Sequence, residues 1–155
     1  MDFIENRTRN IMQMSLDGLY ERSKAIASNT ANALTPGYKR REVRFEDSLK
    51  QIIKNENEKE EIKLQNAMMY QKNPSKVMEG QSLERLAFLN SDIGKDFFID
   101  VEEDMSEGYD VDGNNVNLEV EMMDEAQNGM KYNVVANLLS KSYEQMRNII
   151  NGQNQ

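Results

Sequence analysis

The sequence lacks two side chains on which much enzymatic chemistry depends: there is no cysteine and no histidine among its 155 residues. The absence of cysteine excludes thiol nucleophiles, disulfides and thiolate metal sites. The absence of histidine removes the usual proton shuttle near neutral pH. Carboxylates are abundant, but a hydrolytic acid pair needs a cleft that sequence spacing does not establish. We therefore expect neither an enzyme nor a bound cofactor.

Long apolar runs are missing as well. No segment approaches the roughly 18 apolar residues of a membrane-spanning helix, and the N-terminus has neither a basic leader nor an apolar signal core. The 19 basic residues are outnumbered by 27 acidic ones, which gives a formal net charge of −8. This charge disfavours nucleic acid and anionic lipid surfaces as partners. We expect no direct membrane insertion, and we expect any export to proceed without a cleaved signal peptide.

The residues that are present predict one modest domain. Hydrophobic residues make up 38% of the chain and charged residues 30%, a balance that predicts a small core and a marginally stable monomer. Eleven residues are methionine, whose unbranched side chain adapts to irregular packing. We interpret the methionines first as core residues, and an adaptable interface is the alternative.

Apolar residues in the N-terminal segment follow a seven-residue repeat between residues 10 and 34. This stripe consists of Met12, Leu19, Ile26 and Ala33. A stripe this narrow predicts a helix that pairs as in a coiled coil, with a weak point at Gly18. The helix must end at Thr35-Pro36-Gly37, where proline followed by glycine fits a type II turn. Residues 38–45 then predict an extended arm or short strand.

The middle of the chain is richer in charge than in apolar residues. Residues 45–53 have one apolar face and predict a short helix. Residues 54–63 predict either a solvated helix or a disordered segment, and we favour disorder. Residues 97–101 predict a strand, because they are rich in β-forming side chains. We divide the chain into an N-terminal part (1–53), a variable, partly disordered middle (54–107) and a C-terminal part (108–155), all within one structural unit.

A second helix is predicted after Asn117, which suits a helix N-cap. Its apolar seam advances in steps of three and four residues: Leu118, Met122, Ala126, Gly129, Tyr132, Val135, Leu139, Ser142, Met146 and Ile149. A neighbouring row, which we call the outer row, offers apolar surface for a further partner and consists of Met123, Met130, Val134 and Leu138. The two seams predict that the terminal helices pack together, with Met12, Leu19 and Ile26 facing Tyr132, Leu139 and Met146. The predicted fold is therefore mainly α: long terminal helices paired as a coiled coil, and a small irregular middle with little strand.

The segment 28–40, SNTANALTPGYKR, resembles the signature of the flagellar axial proteins, the rod and hook family. The residues that carry the resemblance are Asn29, Ala31, Asn32, Thr35, Pro36, Gly37 and Tyr38. Small and amide side chains before the turn permit close packing and hydrogen bonds to the backbone. The continuation at 41–49 and the run at 112–122 are similar to the proximal rod members of that family.

The resemblance implies a structural subunit of the flagellar basal-body rod, placed next to the MS ring and transmitting motor torque. It implies the following partners: other copies of the chain, other rod proteins, the MS-ring and adaptor proteins at the rod base, and the flagellar type III export apparatus. The implied location is the periplasmic rod. A soluble coiled-coil adaptor or chaperone-like binding module is the alternative, because it would explain the seams and methionines, although not the signature.

One cluster of basic residues follows the turn and consists of Lys39, Arg40, Arg41 and Arg44. We interpret it either as a contact with an acidic surface on an adjacent subunit, similar to residues 102–112, or as a solvated arm.

Five residues fall at the ligand positions of a calcium loop: Asp110, Asp112, Asn114, Val116 and Glu121. The glycine of such a loop would be at position 115, which is asparagine. We therefore favour a turn followed by a helix cap, and we expect no metal.

Overall fold

The computed structural model describes residues 2–72, 88–89, 93–106 and 113–152. The predicted fold class is confirmed: the chain is mainly α, with long terminal helices and little strand. In chain order the elements are α1 (Asp2–Ala31), β1 (Arg41–Arg44), α2 (Glu46–Lys72), a 3-10 helix (Ile93–Asp96), β2 (Asp100–Glu103) and α3 (Leu118–Gly152). None of the described helices is both long enough and apolar enough to cross a membrane.

The described residues form two compact units. The first unit falls within Met1–Phe45 and Ile99–Gln155, and the second falls within Glu46–Phe98. The first unit therefore joins both ends of the sequence, while the second is inserted between β1 and β2. The predicted three-part division stays a prediction.

In the first unit α1 and α3 pack side by side and run antiparallel. Three contacts define the direction: the Asn29 amide donates to the Glu121 carboxylate (3.2 Å), the Asn128 amide donates to the Leu19 carbonyl (2.9 Å), and the Gln13 amide donates to the Tyr143 hydroxyl (3.1 Å). As residue numbers fall along α1, those of their partners rise along α3. The terminal helices therefore pair, as the fold prediction requires.

Helix α1 buries two faces. Leu19 and Ile26 of α1, and Ala33 just beyond its end, are buried members of the predicted stripe. The second face carries Gly18 and lies against the chain that follows the turn.

Gly18 provides room for an aromatic ring. A Cβ atom at this position would overlap the ring of Phe45. The Arg22 guanidinium lies 4.8 Å from the centre of the same ring and donates to the carbonyl of Val43 at 2.7 Å. The interpretation of Gly18 as a weak point is thus incomplete, because any cost in helix propensity comes with a close packing contact.

The two strands pair antiparallel, with Arg41 opposite Glu103 and Arg44 opposite Asp100. The pairing places basic side chains of β1 beside acidic ones of β2, and Arg44 lies 3.3 Å from Glu102. The predicted second strand, at residues 97–101, is displaced to Asp100–Glu103. Pairing with β1 decides the position of this strand, and its local composition does not reveal that partner.

Helix α3 turns a different stripe inward from the one predicted over its first third. Glu121 and Asn128 are the residues that the described part of α3 buries, whereas Leu118 and Met122 are 42% and 67% exposed. The prediction that Leu118 and Met122 belong to the packed seam is therefore wrong. Their place is taken by polar side chains that find partners on α1 and on the arm after the turn.

The second unit contains α2 and the 3-10 helix. Acidic Glu46 and Asp47 occupy the first turn of α2, where they favourably oppose the helix dipole. The amide N–H of Phe98 donates to the Ser48 hydroxyl at 3.1 Å. Helix α2 is continuous through residues 54–63, so the solvated helix, and not the favoured disorder, is the alternative observed there.

Candidate functional site

The signature turn is the starting point of the candidate site. The amide N–H of Tyr38 donates to the carbonyl of Thr35 at 3.2 Å, and Gly37 has a φ of 71°. This is the predicted type II geometry, with Pro36 at its second position and glycine at the third, where positive φ is required. The turn reverses the chain and brings the arm back along α1.

Asn29 joins the two ends of this reversal. Its side chain is fully buried. The amide nitrogen donates to the carbonyl of Arg41 at 2.9 Å, and the amide oxygen accepts from the N–H of Arg41 at 2.8 Å. The Tyr38 hydroxyl donates to the same oxygen at 3.2 Å. Asn29 thus pairs with the arm as a neighbouring strand would.

Glu121 extends the network to α3. Its carboxylate is fully buried, accepting from Asn29 through one oxygen and from the Arg40 guanidinium, at 2.5 Å, through the other. Arg40 also binds Asp124 at 2.7 Å. Burial alone would lower the pKa of Arg40, but hydrogen bonding and attraction from Glu121 outweigh it and raise that pKa. A buried, fully bonded ion pair of this kind is costly to break from one side.

Two consecutive asparagines fasten the segment before α3. The Asn114 amide donates to the carbonyls of Asn32, Ala33 and Thr35, at 2.8 to 3.1 Å. These carbonyls lie in the turns that follow the end of α1 at Ala31, so Asn114 holds the segment before α3 against those turns. The Asn115 side chain accepts from the N–H of Arg40 at 2.7 Å.

Helix α3 begins as predicted. The side-chain oxygen of Asn117 accepts from the N–H groups of Glu119 (2.9 Å) and Val120 (3.3 Å), which is an N-cap.

At the candidate calcium loop, Asp110 and Asp112 lie outside the described residues. The two described residues that would supply oxygen ligands from their side chains have other partners: the Asn114 oxygen accepts from the Val116 N–H at 2.8 Å, and Glu121 binds Arg40 and Asn29.

The basic cluster is divided between internal and exposed positions. Arg40 faces Glu121 and Asp124, whereas Lys39 donates to the carbonyl of Ser106 at 3.0 Å. The side chain of Arg44 is 63% exposed and that of Arg41 belongs to an exposed residue. The prediction that this cluster contacts another subunit stays a prediction. Arg41 and Arg44 are the exposed members, and Arg44 already lies 3.0 Å from Glu42 and 3.3 Å from Glu102.

The predicted seam residues lie between α1 and α3 to different degrees. Leu19 and Ile26 are buried; Met12, Val135, Leu139 and Met146 are half-buried; and Tyr132 is 39% exposed. The backbone of Leu19 lies opposite Asn128, one turn before Tyr132. The specific pairing of apolar side chains stays a prediction.

The outer row of α3 is exposed along its whole length. Its four members are exposed by 48% to 63%. Successive α-helical residues are about 100° apart, so the four side chains fall within one narrow sector, on the side away from Glu121 and Asn128. The site therefore has two parts: an inward polar network that closes the chain on itself, and an outward apolar row that is uncovered in the free chain.

Sequence reasoning identified Asn29 and the turn but missed the roles of Asn114, Asn115, Glu121 and Asn128. The first three lie in the run at 112–122 that resembles the rod family, so the resemblance marked the segment without revealing its contacts. Asn128 gave no signal, because a polar residue in an amphipathic pattern reads as solvent-facing.

The chain is similar to the flagellar basal body rod protein FlgB of Borrelia hermsii, with 29% identity over 148 residues. The match covers 91% of this chain and 98% of that protein. No family model matches the chain. The aligned length includes both halves of the polar network and the insertion between them.

Proposed function

We propose that the chain is a structural subunit of the bacterial flagellar rod and not an enzyme. The observation that carries the proposal is the contact between Asn29 and Glu121. It joins the signature that resembles the rod and hook family to the C-terminal run that resembles the same family. The similarity to FlgB over nearly the full length supports the same assignment.

Within the flagellum, we assign the subunit to the proximal rod, next to the MS ring, on the periplasmic side. The partners would be further copies of the chain, other rod proteins, the MS-ring and adaptor proteins, and, during delivery, the type III export apparatus. The motif resemblance supports these finer assignments. Two long helices tied together by hydrogen bonds would provide the stiffness that torque transmission requires.

Assembly would use the outer row. Met123, Met130, Val134 and Leu138 expose apolar surface that the free chain leaves in water, and covering it with another subunit would be favourable. The polar network would keep the terminal helices paired while this happens. Of the exposed basic residues, Arg41 would then be available to acidic surfaces of a neighbouring subunit, whereas Arg44 would first have to leave Glu42 and Glu102.

The test is a matched pair of substitutions on α3. Val134→Glu places a charge in the outer row, and Asn133→Glu places the same charge about 100° away, at an exposed polar position. Sedimentation and circular dichroism across a concentration series would compare both variants with the unmodified chain. We expect Val134→Glu to abolish assembly and Asn133→Glu to leave it nearly unchanged. Equal behaviour of the two variants would contradict the proposal.

The same concentration series would distinguish a rod subunit from the alternative, a coiled-coil adaptor. A coiled-coil adaptor is favoured by the length of α3, 35 residues, and by its exposed apolar outer row. An adaptor would give a stable monomer or a small fixed oligomer at every concentration, whereas a rod subunit would form large assemblies.

A further inference from the structure

We propose that Met123 and Met130 form an oxidation site that controls assembly, an inference that rests on the proposed contact through the outer row. The oxidant is hydrogen peroxide, and the product is methionine sulfoxide. The thioether sulfur attacks one peroxide oxygen, the O–O bond breaks, and water leaves after proton transfer. Sulfur is oxidised by two electrons as the peroxide is reduced.

Composition makes methionine the main target of such an oxidant. The chain has 11 methionines and neither cysteine nor tryptophan, so the more reactive thiols are absent. Met123 is 55% exposed and Met130 is 63% exposed, which gives a peroxide access to both sulfurs in the free chain. In an assembly that covers the outer row, the same sulfurs would be shielded.

Oxidation would change the chemistry of the outer row. Met123 and Met130 are seven residues apart and therefore share one face, separated by about 10 Å along the helix. A sulfoxide is strongly polar and accepts hydrogen bonds, but Val134 and Leu138, the other members of the row, have no side-chain donor. Burying an unpaired polar group is unfavourable. Oxidised subunits should therefore assemble poorly.

The structure supplies a matched control on the same helix. Met122 is 67% exposed, so it should be oxidised as readily. Its side chain points about 100° away from Met123 around the helix, outside the outer row. Sulfoxide at Met122 is therefore expected to leave assembly almost unchanged.

The experiment treats three proteins with hydrogen peroxide: the unmodified chain, Met122→Leu, and the double variant Met123→Leu/Met130→Leu. Leucine keeps the row apolar at similar volume. Mass spectrometry locates the sulfoxides, and sedimentation measures the concentration at which half the protein assembles. Each oxidised protein is compared with its own untreated sample. We expect oxidation to raise the half-assembly concentration at least about tenfold for the unmodified chain and for Met122→Leu, and to change it little for the double variant. A methionine sulfoxide reductase should restore assembly.

Two results would overturn the inference. One is an oxidised double variant that loses assembly as fully as the unmodified chain, because sulfoxides elsewhere would then be responsible. The other is full assembly of a chain that carries sulfoxide at both positions. Failure of the untreated chain to assemble at any concentration would instead reject the proposed function, and the inference with it.

The oxidation rate in assembled protein supplies a second measurement. There, peroxide should oxidise Met123 and Met130 several-fold more slowly than Met122, because assembly covers the outer row. Equal rates would count against the site.

Discussion

Replacing Asn29 by alanine should separate the polar network from the apolar packing. The substitution Asn29→Ala removes both hydrogen bonds to the backbone of Arg41, together with those to Tyr38 and Glu121. Arg40 would still bind Glu121, so the main effect is that the N–H and carbonyl of Arg41 lose their hydrogen-bond partner. A buried polar group left unpaired costs roughly 1 to 3 kcal/mol. We expect the free energy of unfolding to fall by about 3 kcal/mol.

Asn32→Ala is the control, because it removes the same side chain from the same signature. The Asn32 amide donates to the carbonyl of Ser28 at 2.8 Å, but the Asn32 N–H already donates to that carbonyl at 3.1 Å. No backbone group loses its last partner, and we expect a loss below about 1 kcal/mol.

Urea unfolding followed by circular dichroism, at concentrations where the chain is monomeric, would measure both variants. If the folded population is small, trimethylamine N-oxide can shift the transition into range for all proteins equally. A difference of about 2 kcal/mol or more between the variants is expected. If the two lose the same amount of stability, the pairing of Asn29 with the arm does not stabilise the chain as we argue.

Three further predictions follow from contacts in the first unit. Asn128→Leu should raise the free energy of unfolding by about 1 kcal/mol, because no described residue donates to the buried side-chain oxygen of Asn128, and we expect the removal of this unpaired group to outweigh the loss of the bond from its amide to the Leu19 carbonyl. Urea unfolding would measure the change, and a loss of stability would contradict the prediction. Gly18→Ala should destabilise, because the new Cβ overlaps Phe45, whereas Gly129→Ala, with open space, should stabilise by up to about 1 kcal/mol; equal effects would refute the packing argument. Hydrogen bonds from the backbone and side chain of Ser106 hold the pKa of the Asp104 carboxyl below its usual range. The ionised carboxylate therefore stabilises the fold above about pH 4, and this contribution is lost as pH falls through the folded pKa. NMR titration should find the lowered pKa, and an ordinary value would contradict the prediction.

Local chemistry explains what the sequence predicts well. The type II turn depends on Pro36 and Gly37, whose own backbone preferences determine its geometry. The cap at Asn117 likewise needs only the first turn of α3. Leu19 and Ile26 belong to a simple heptad and are buried.

Long-range pairing explains what the sequence predicts poorly. Glu121 is buried only because Asn29 and Arg40, about 80 to 90 residues earlier, supply its donors. The position of β2 depends on β1 in the same way. No local pattern reveals these partners. The periodicity of α3 therefore predicts an apolar inward stripe that includes Met122, whereas Met122 is exposed and Glu121 faces inward.

The exposed outer row of α3 predicts how assembly should depend on protein concentration. Fully burying a valine, leucine or methionine side chain stabilises by roughly 1.5 to 3 kcal/mol. The four residues of the outer row are about half exposed, so covering them contributes on the order of 4 kcal/mol. Association alone costs an estimated 4 to 15 kcal/mol, so one such contact cannot hold a dimer at low concentration.

A subunit that touches several neighbours loses its translational and rotational freedom once but gains the free energy of several contacts. We therefore expect large assemblies to be stable where dimers are not. Sedimentation should therefore show monomers and large assemblies separated by a critical concentration, with few dimers between them. A gradual series of dimers and trimers would mean that a surface other than the outer row dominates the contact, and the row would then lose its assigned role in assembly.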